Sequence, residues 1–261
     1  MKYTISEVFQ KKKPLICYFM AGYPNVHDSL DVARLMIRSG TDILEVGIPF
    51  SDPVADGTTI QVAHEVALKN GVTPINVFWI TKQLKERFPY IPIIAMTYYN
   101  PIFVIGEEKF CKTAKESGID GFIIPDLPPE EAENFKNIAN SYGLDVIFLL
   151  APTSNQERIQ LVSEMSDSFI YYVSLTGITG ARDTLPWEEL KTKINQIKSF
   201  TDKPVAVGFG VSKKEHSYNL AKIADGVIVG SAIVKLQGKR DMMGIDKLVR
   251  ELKEGIKEAE K

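Results

Sequence analysis

The chain has 261 residues, 31 Lys and Arg against 33 Asp and Glu, a formal net charge of -2 and 44% hydrophobic residues. That balance belongs to a globular chain and excludes disorder or collagen-like repeats, and a charge so near zero supplies no overall field for steering polyanions. Cys17 and Cys111 are too few and too far apart for a disulfide framework or zinc site, the N-terminus lacks a signal-peptide pattern, and no apolar run approaches the ~20 residues of a membrane span, so a reducing, cytoplasmic setting is expected.

Residues 4–10 place Ile5, Val8 and Phe9 on one helical face. Short apolar or β-branched runs then recur at 15–20, 43–47, 91–97, 121–125, 146–150, 169–174, 204–208 and 226–230, each ending in or near Gly, Pro, Asp or Asn. Amphipathic segments at 29–39, 75–88, 107–117, 130–142, 155–163, 187–199 and 213–222 separate them, and a charged amphipathic helix is expected at 245–258. Eight strand–helix units in about 250 residues predict a single α/β domain over 1–261, a (β/α)8 barrel whose first helix caps the bottom. An open flavodoxin-like or Rossmann sheet is the alternative. Against it, Ala21-Gly22-Tyr23-Pro24-Asn25 after the first strand lacks the glycine-rich dinucleotide fingerprint.

A barrel of this kind carries its chemistry at the C-terminal strand ends. In the second run Glu45 interrupts apolar residues, and alternation puts it on the face of Ile43 and Gly47, opposite Leu44 and Val46. It is either a desolvated carboxyl with a raised pKa, suited to proton transfer, or half of a salt bridge to a neighbouring strand. The following loop adds Asp52 and Asp56 to turn-forming residues and an apolar lip. Gly208-Phe209-Gly210 and Gly230-Ser231 close the last two strands, and together they suit a phosphate held by backbone N–H groups, with a short helix opening after Gly230. Residues 174–184 are small and suit a lid, in which Gly180 is one more N–H for phosphate. His27, His64 and His216 are scattered without metal-ligand spacing, and no metal is assigned.

The stretch Glu45-Val46-Gly47-Ile48-Pro49-Phe50-Ser51-Asp52-Pro53-Val54-Ala55-Asp56-Gly57 closely resembles the signature of the tryptophan synthase alpha subunit family. Tyr98-Tyr99-Asn100-Pro101, Pro125-Asp126-Leu127-Pro128, Ala151-Pro152-Thr153, Thr176-Gly177-Ile178-Thr179-Gly180 and Gly230-Ser231-Ala232-Ile233-Val234 extend the likeness along nearly the whole chain. The resemblance implies a TIM barrel with extra short helices at the phosphate end, a lyase that cleaves indole-3-glycerol phosphate to indole and glyceraldehyde 3-phosphate. It implies Glu45 and Asp56 as catalytic, Tyr171 as an orienting group, Gly180, Gly210, Gly230 and Ser231 at the phosphate, and Tyr18, Met96, Tyr98, Leu127 and Ile228 in the indole pocket. A β-subunit partner in an α2β2 assembly is implied too, with pyridoxal phosphate in that partner and no cofactor here. Docking of the partner is expected to bring Asp56 into place. A stand-alone indole-releasing lyase and a catalytically silent alpha-like partner are the competing readings. Indole-3-glycerol phosphate synthase would want a lysine in run 15–20, and ribulose-phosphate epimerase metal-binding histidines at strand ends; neither is present.

Overall fold

The computed structural model describes residues 3–173, 187–208 and 210–261. Among them the strands are β1 (Leu15–Met20), β2 (Ile43–Gly47), β3 (Ile93–Met96), β4 (Gly121–Ile123), β5 (Asp145–Ile147), β6 (Leu149–Leu150), β7 (Ile170–Val173), β8 (Val205–Gly208) and β9 (Gly226–Val229). All pair in parallel, in the order β5-β4-β3-β2-β1-β9-β8-β7-β6. The two ends of that order are neighbours in sequence, joined by Phe148 alone. Its N–H turns aside to Ser166 Oγ at 3.1 Å while its carbonyl accepts the Tyr171 N–H at 3.1 Å. The expected strand 146–150 is therefore one barrel strand broken at a single residue, and eight barrel strands form a nearly closed ring.

The helices are α1 (Ile5–Lys11), α2 (Val26–Ser39), α3 (Thr58–Lys69), α4 (Pro74–Arg87), α5 (Tyr99–Ile105), α6 (Glu107–Glu116), α7 (Glu133–Ser141), α8 (Gln156–Met165), α9 (Trp187–Lys198), α10 (Lys214–Ile223), α11 (Ser231–Gly238) and α12 (Met242–Ala259). Asn25, Asn155 and Asp241 start α2, α8 and α12 by accepting a backbone N–H three residues on. Two helices were not anticipated. α3 begins after Gly57 with no side-chain cap and two β-branched threonines, and α5 is a short turn built on Tyr99-Asn100-Pro101. Neither carries a strong start signal.

Residues in or next to each barrel strand pack into one inner cluster: Ile16, Ile43, Ile94, Ile123, Ile147, Phe169 just before β7, Ala206 and Ile228. Beneath it α1 inserts Ile5 and Val8, and Phe9 meets Phe169 at 5.0 Å between ring centroids, so this helix plugs the bottom as its apolar face predicts. Thr4 fixes its start through a reciprocal capping box with Glu7. Leu44 and Val46 point the other way, into the larger core between strands and helices. Two residues beyond Ile43 on the same inward face, and beside Tyr18 and Ile94 in the strand register, lies Glu45.

The bottom rim repeats fourfold. Asp42, Asp120, Asp167 and Asp225 stand before the second, fourth, sixth and eighth barrel strands. Each accepts the N–H of the neighbouring odd strand with its carboxylate, from Leu15, Ile93, Val146 and Val205, at 2.7–3.0 Å. Each also donates its own N–H to the carbonyl of that same residue. A lysine closes each clasp, Lys253 of α12, Lys85 of α4, Lys136 of α7 or Lys198 of α9, and Lys12 adds a second cation at Asp42.

Candidate active site

Strand alternation carries Glu45 inward with Ile43 and Gly47, where its side chain is completely buried. Neither carboxyl oxygen has a hydrogen-bond partner among the described residues, so the salt-bridge alternative for this residue is not realised. Burial, and after it the negative charge of Asp56, pushes the carboxyl up from the ordinary 4.5 to about 8. At neutral pH it holds a proton that it can give away.

Tyr18, adjacent to Glu45 in the β1–β2 register, and Tyr171 complete the walls. Burial first, then the nearby carboxylates, hold both phenols well above their ordinary range. Two inward glycines make room for them: a β-carbon at Gly47 would fall 2.1 Å from the Tyr18 hydroxyl, and one at Gly208 would fall 2.8 Å from that of Tyr171. Tyr18 also borders the phosphate end, since a β-carbon on Gly230 would sit 3.6 Å from its own. Met96 is inward and half-buried, and Ile228 lies in the inner cluster.

Asp56 reaches the site from the loop after β2, and its side chain is only 5% exposed. The Tyr98 hydroxyl donates to Asp56 Oδ2 at 2.8 Å while accepting the Ala55 N–H at 3.0 Å. His64 of α3 approaches the same oxygen through Nε2 at 3.1 Å, and Gln61 donates to the Asp56 carbonyl at 2.8 Å. Phe50 stacks on Tyr98 with ring centroids 5.2 Å apart. Asp56 is thus tied by contacts within the chain itself. Tyr98 holds this loop through its hydroxyl. Sequence reading passed over His64 because a lone histidine eight residues beyond Asp56 has no spacing signature; only the loop's return onto α3 joins them.

At the other side of the mouth, Gly230 is the N-cap of α11 and supplies no side-chain cap, so the first-turn N–H groups from Ser231 on have no partner within the helix. Gly210 has φ +43°, a conformation that favours glycine. Gly180 lies outside the described residues, as does the whole expected lid and Phe209. Leu127 is buried and lines a surface cavity with Tyr99, Asn100 and Phe103. Among the described residues no cluster of His, Cys, Asp and Glu is arranged for a metal, and no helix is long and apolar enough to cross a membrane.

The family model described as tryptophan synthase alpha chain matches residues 6–261. The tryptophan synthase alpha chain of Aquifex aeolicus is 54% identical over 95% of both chains. The tryptophan synthase of Saccharomyces cerevisiae is 44% identical over 88% of this chain but only 32% of its own length, so there the matching region is part of a longer polypeptide. The crystal structure of tryptophan synthase subunit alpha from Legionella pneumophila superposes with a TM-score of 0.90 at 34% identity, covering 97% of this chain and 98% of that one. A buried carboxyl near a loop-borne aspartate at the mouth of an eight-stranded barrel, with likeness along nearly the full length, gives one answer: the chain belongs to the tryptophan synthase alpha chain family, lyases of tryptophan biosynthesis whose alpha reaction cleaves indole-3-glycerol phosphate.

Proposed function

We propose that Glu45 and Asp56 divide the work of this retro-aldol cleavage, within a chain that acts as one barrel domain over 1–261. The observation that carries the proposal is the Glu45 carboxyl, fully buried, without a hydrogen-bond partner among the described residues and protonated up to about pH 8. It gives its proton to indole C3, which turns the aromatic ring into a cationic indolenine. Asp56 accepts the hydrogen bond of the indole N–H and stabilises the positive charge that develops there. Glu45, now a carboxylate, takes the proton of the glycerol hydroxyl; the oxygen forms a carbonyl and the carbon–carbon bond electrons return to the ring. Indole and glyceraldehyde 3-phosphate leave with Glu45 protonated again.

Tyr171 orients the substrate beside Glu45, while Tyr18, Met96 and Ile228 flank the indole. Gly210, Gly230 and Ser231, with Gly180 from the lid, bind the phosphate through backbone N–H groups, which accounts for recognition of an anion by a chain of net charge -2. The partner is the tryptophan synthase β chain, which holds pyridoxal phosphate and receives the indole. Supporting that contact, Val54, Phe103 and Val104 expose 81%, 67% and 74% of their surface on segments that follow the C-terminal ends of β2 and β3. Regulation by the partner then acts through the lid more than through Asp56, and the setting is cytoplasmic. Indole release from indole-3-glycerol phosphate, with and without a cognate β chain, tests the assignment. Glu45→Gln and Asp56→Asn are each expected to lose at least about a thousandfold in kcat, as for removal of an essential proton-transfer or charge-stabilising group. Native turnover in either variant overturns the role given to that residue.

A further inference from the structure

We infer that His64 is a positioning residue for the reaction, a neutral imidazole of fixed tautomer that aims the free oxygen of Asp56 at the indole nitrogen. The inference rests on the role proposed for Asp56. His64 is 4% exposed and sits on α3 with its ring between two parts of the loop. The Phe50 N–H donates to Nδ1 at 3.0 Å, and a backbone amide can only donate, so Nδ1 carries no proton. The single proton of the neutral ring is therefore on Nε2, which points at Asp56 Oδ2, 3.1 Å away.

The Tyr98 hydroxyl has the same constraint. Its oxygen accepts the Ala55 N–H, and its own proton goes to Asp56 Oδ2 at 2.8 Å. Both donors act on one carboxylate oxygen, and none among the described residues contacts Oδ1. The carboxylate is thereby held in one rotation with Oδ1 open to a substrate N–H. His64 at the same time ties the start of the loop, at Phe50, to its functional end, at Asp56. Gln61, one turn earlier on the same face of α3, fixes the Asp56 carbonyl.

The two ring nitrogens have separable jobs, and two substitutions separate them. In His64→Gln the amide N–H2 reaches the Nε2 position and keeps the bond to Asp56 but loses the Phe50 anchor. In His64→Asn the amide oxygen replaces Nδ1 and keeps the anchor but cannot reach Asp56. Single-turnover cleavage is measured for the full chain with a cognate β chain in excess. His64→Asn is expected to lose about 10–100-fold in the cleavage rate, the range of one hydrogen bond to a charged group, with substrate affinity changed less than about threefold. His64→Gln is expected to keep the rate within about tenfold of native. As a second readout, NMR of 15N-histidine-labelled chain should show the proton on Nε2 with a resolved signal that shifts in Asp56→Ala. Native rates in both His64 variants beside an inactive Asp56→Asn, or a proton found on Nδ1, overturn the inference while leaving Asp56 in its role; an active Asp56→Asn instead overturns the reading on which it rests.

Discussion

Glu45 is the residue in which sequence, burial and chemistry meet. Desolvation is the larger cause of its raised pKa and the Asp56 charge the smaller. A carbon-detected NMR titration of the Glu45 carboxyl should therefore have its midpoint near 8, and Asp56→Asn should lower it while leaving it well above the ordinary 4.5. The same shift fixes a sign for stability. The unfolded carboxyl loses its proton around 4.5 and the folded one only near 8, so between those values unfolding releases a proton and stability falls as pH rises. Between those values the slope from this one group is ~1.4 kcal/mol per pH unit, so its stabilisation is fully present below the unfolded value and lost once pH passes the folded one. Denaturant melts of native chain and Glu45→Gln should diverge over that interval, with the variant gaining on the native chain. Gly47 offers a second test. Its missing side chain houses the Tyr18 hydroxyl, and Gly47→Ala places a methyl 2.1 Å from it, with Tyr18 almost fully buried and unable to swing aside. Overpacking of this kind costs about 1–3 kcal/mol and should lower the midpoint of chemical denaturation accordingly.

Among the elements, strands were the most legible in the sequence because every barrel strand is a short apolar run with a breaker at its mouth. Those runs also told which face of β2 carries Glu45. The split at Phe148 was hidden, because the apolar pattern at 146–150 runs on unbroken and only the hydrogen bonds of Phe148 to Ser166 and Tyr171 reveal the interruption. α3 was hidden by its weak start, and with it His64. The four aspartates of the bottom rim could be read in the sequence but acquire meaning only once each is seen to pair with the strand beside it. Their contributions should differ with burial. Asp42 is 5% exposed and faces Lys253 at 14%, so Asp42→Ala strands a nearly buried cation and the Leu15 N–H, a loss of about 3–5 kcal/mol. Asp225 and Lys198 are 30% and 36% exposed; water screens that pair, and Asp225→Ala should cost about 1–2 kcal/mol, chiefly for the Val205 N–H. Equal losses in urea unfolding of the two variants would contradict this ordering.

At the level of the whole molecule, the barrel separates stability from chemistry. α1 and the aspartate–lysine clasps close one end, and the glycine-rich strand ends, the Asp56 loop and α11 occupy the other. The sequence singled out Glu45 by its apolar run, whereas the loop after it offered both Asp52 and Asp56 and only the family resemblance chose between them. It could not tell which groups hold Asp56, because Tyr98 and His64 come to it from elements 42 and 8 residues away. The central claim is that a buried Glu45 stores the proton that starts the cleavage. The direct measurement is kcat/KM for indole-3-glycerol phosphate against pH from 7 upward, where the substrate phosphate is already a dianion, beside the NMR midpoint of Glu45 in the free chain. The account predicts a plateau that falls about tenfold per pH unit above a break near 8, coincident with that midpoint. A profile flat to pH 10, or one that breaks away from the Glu45 titration, would contradict it.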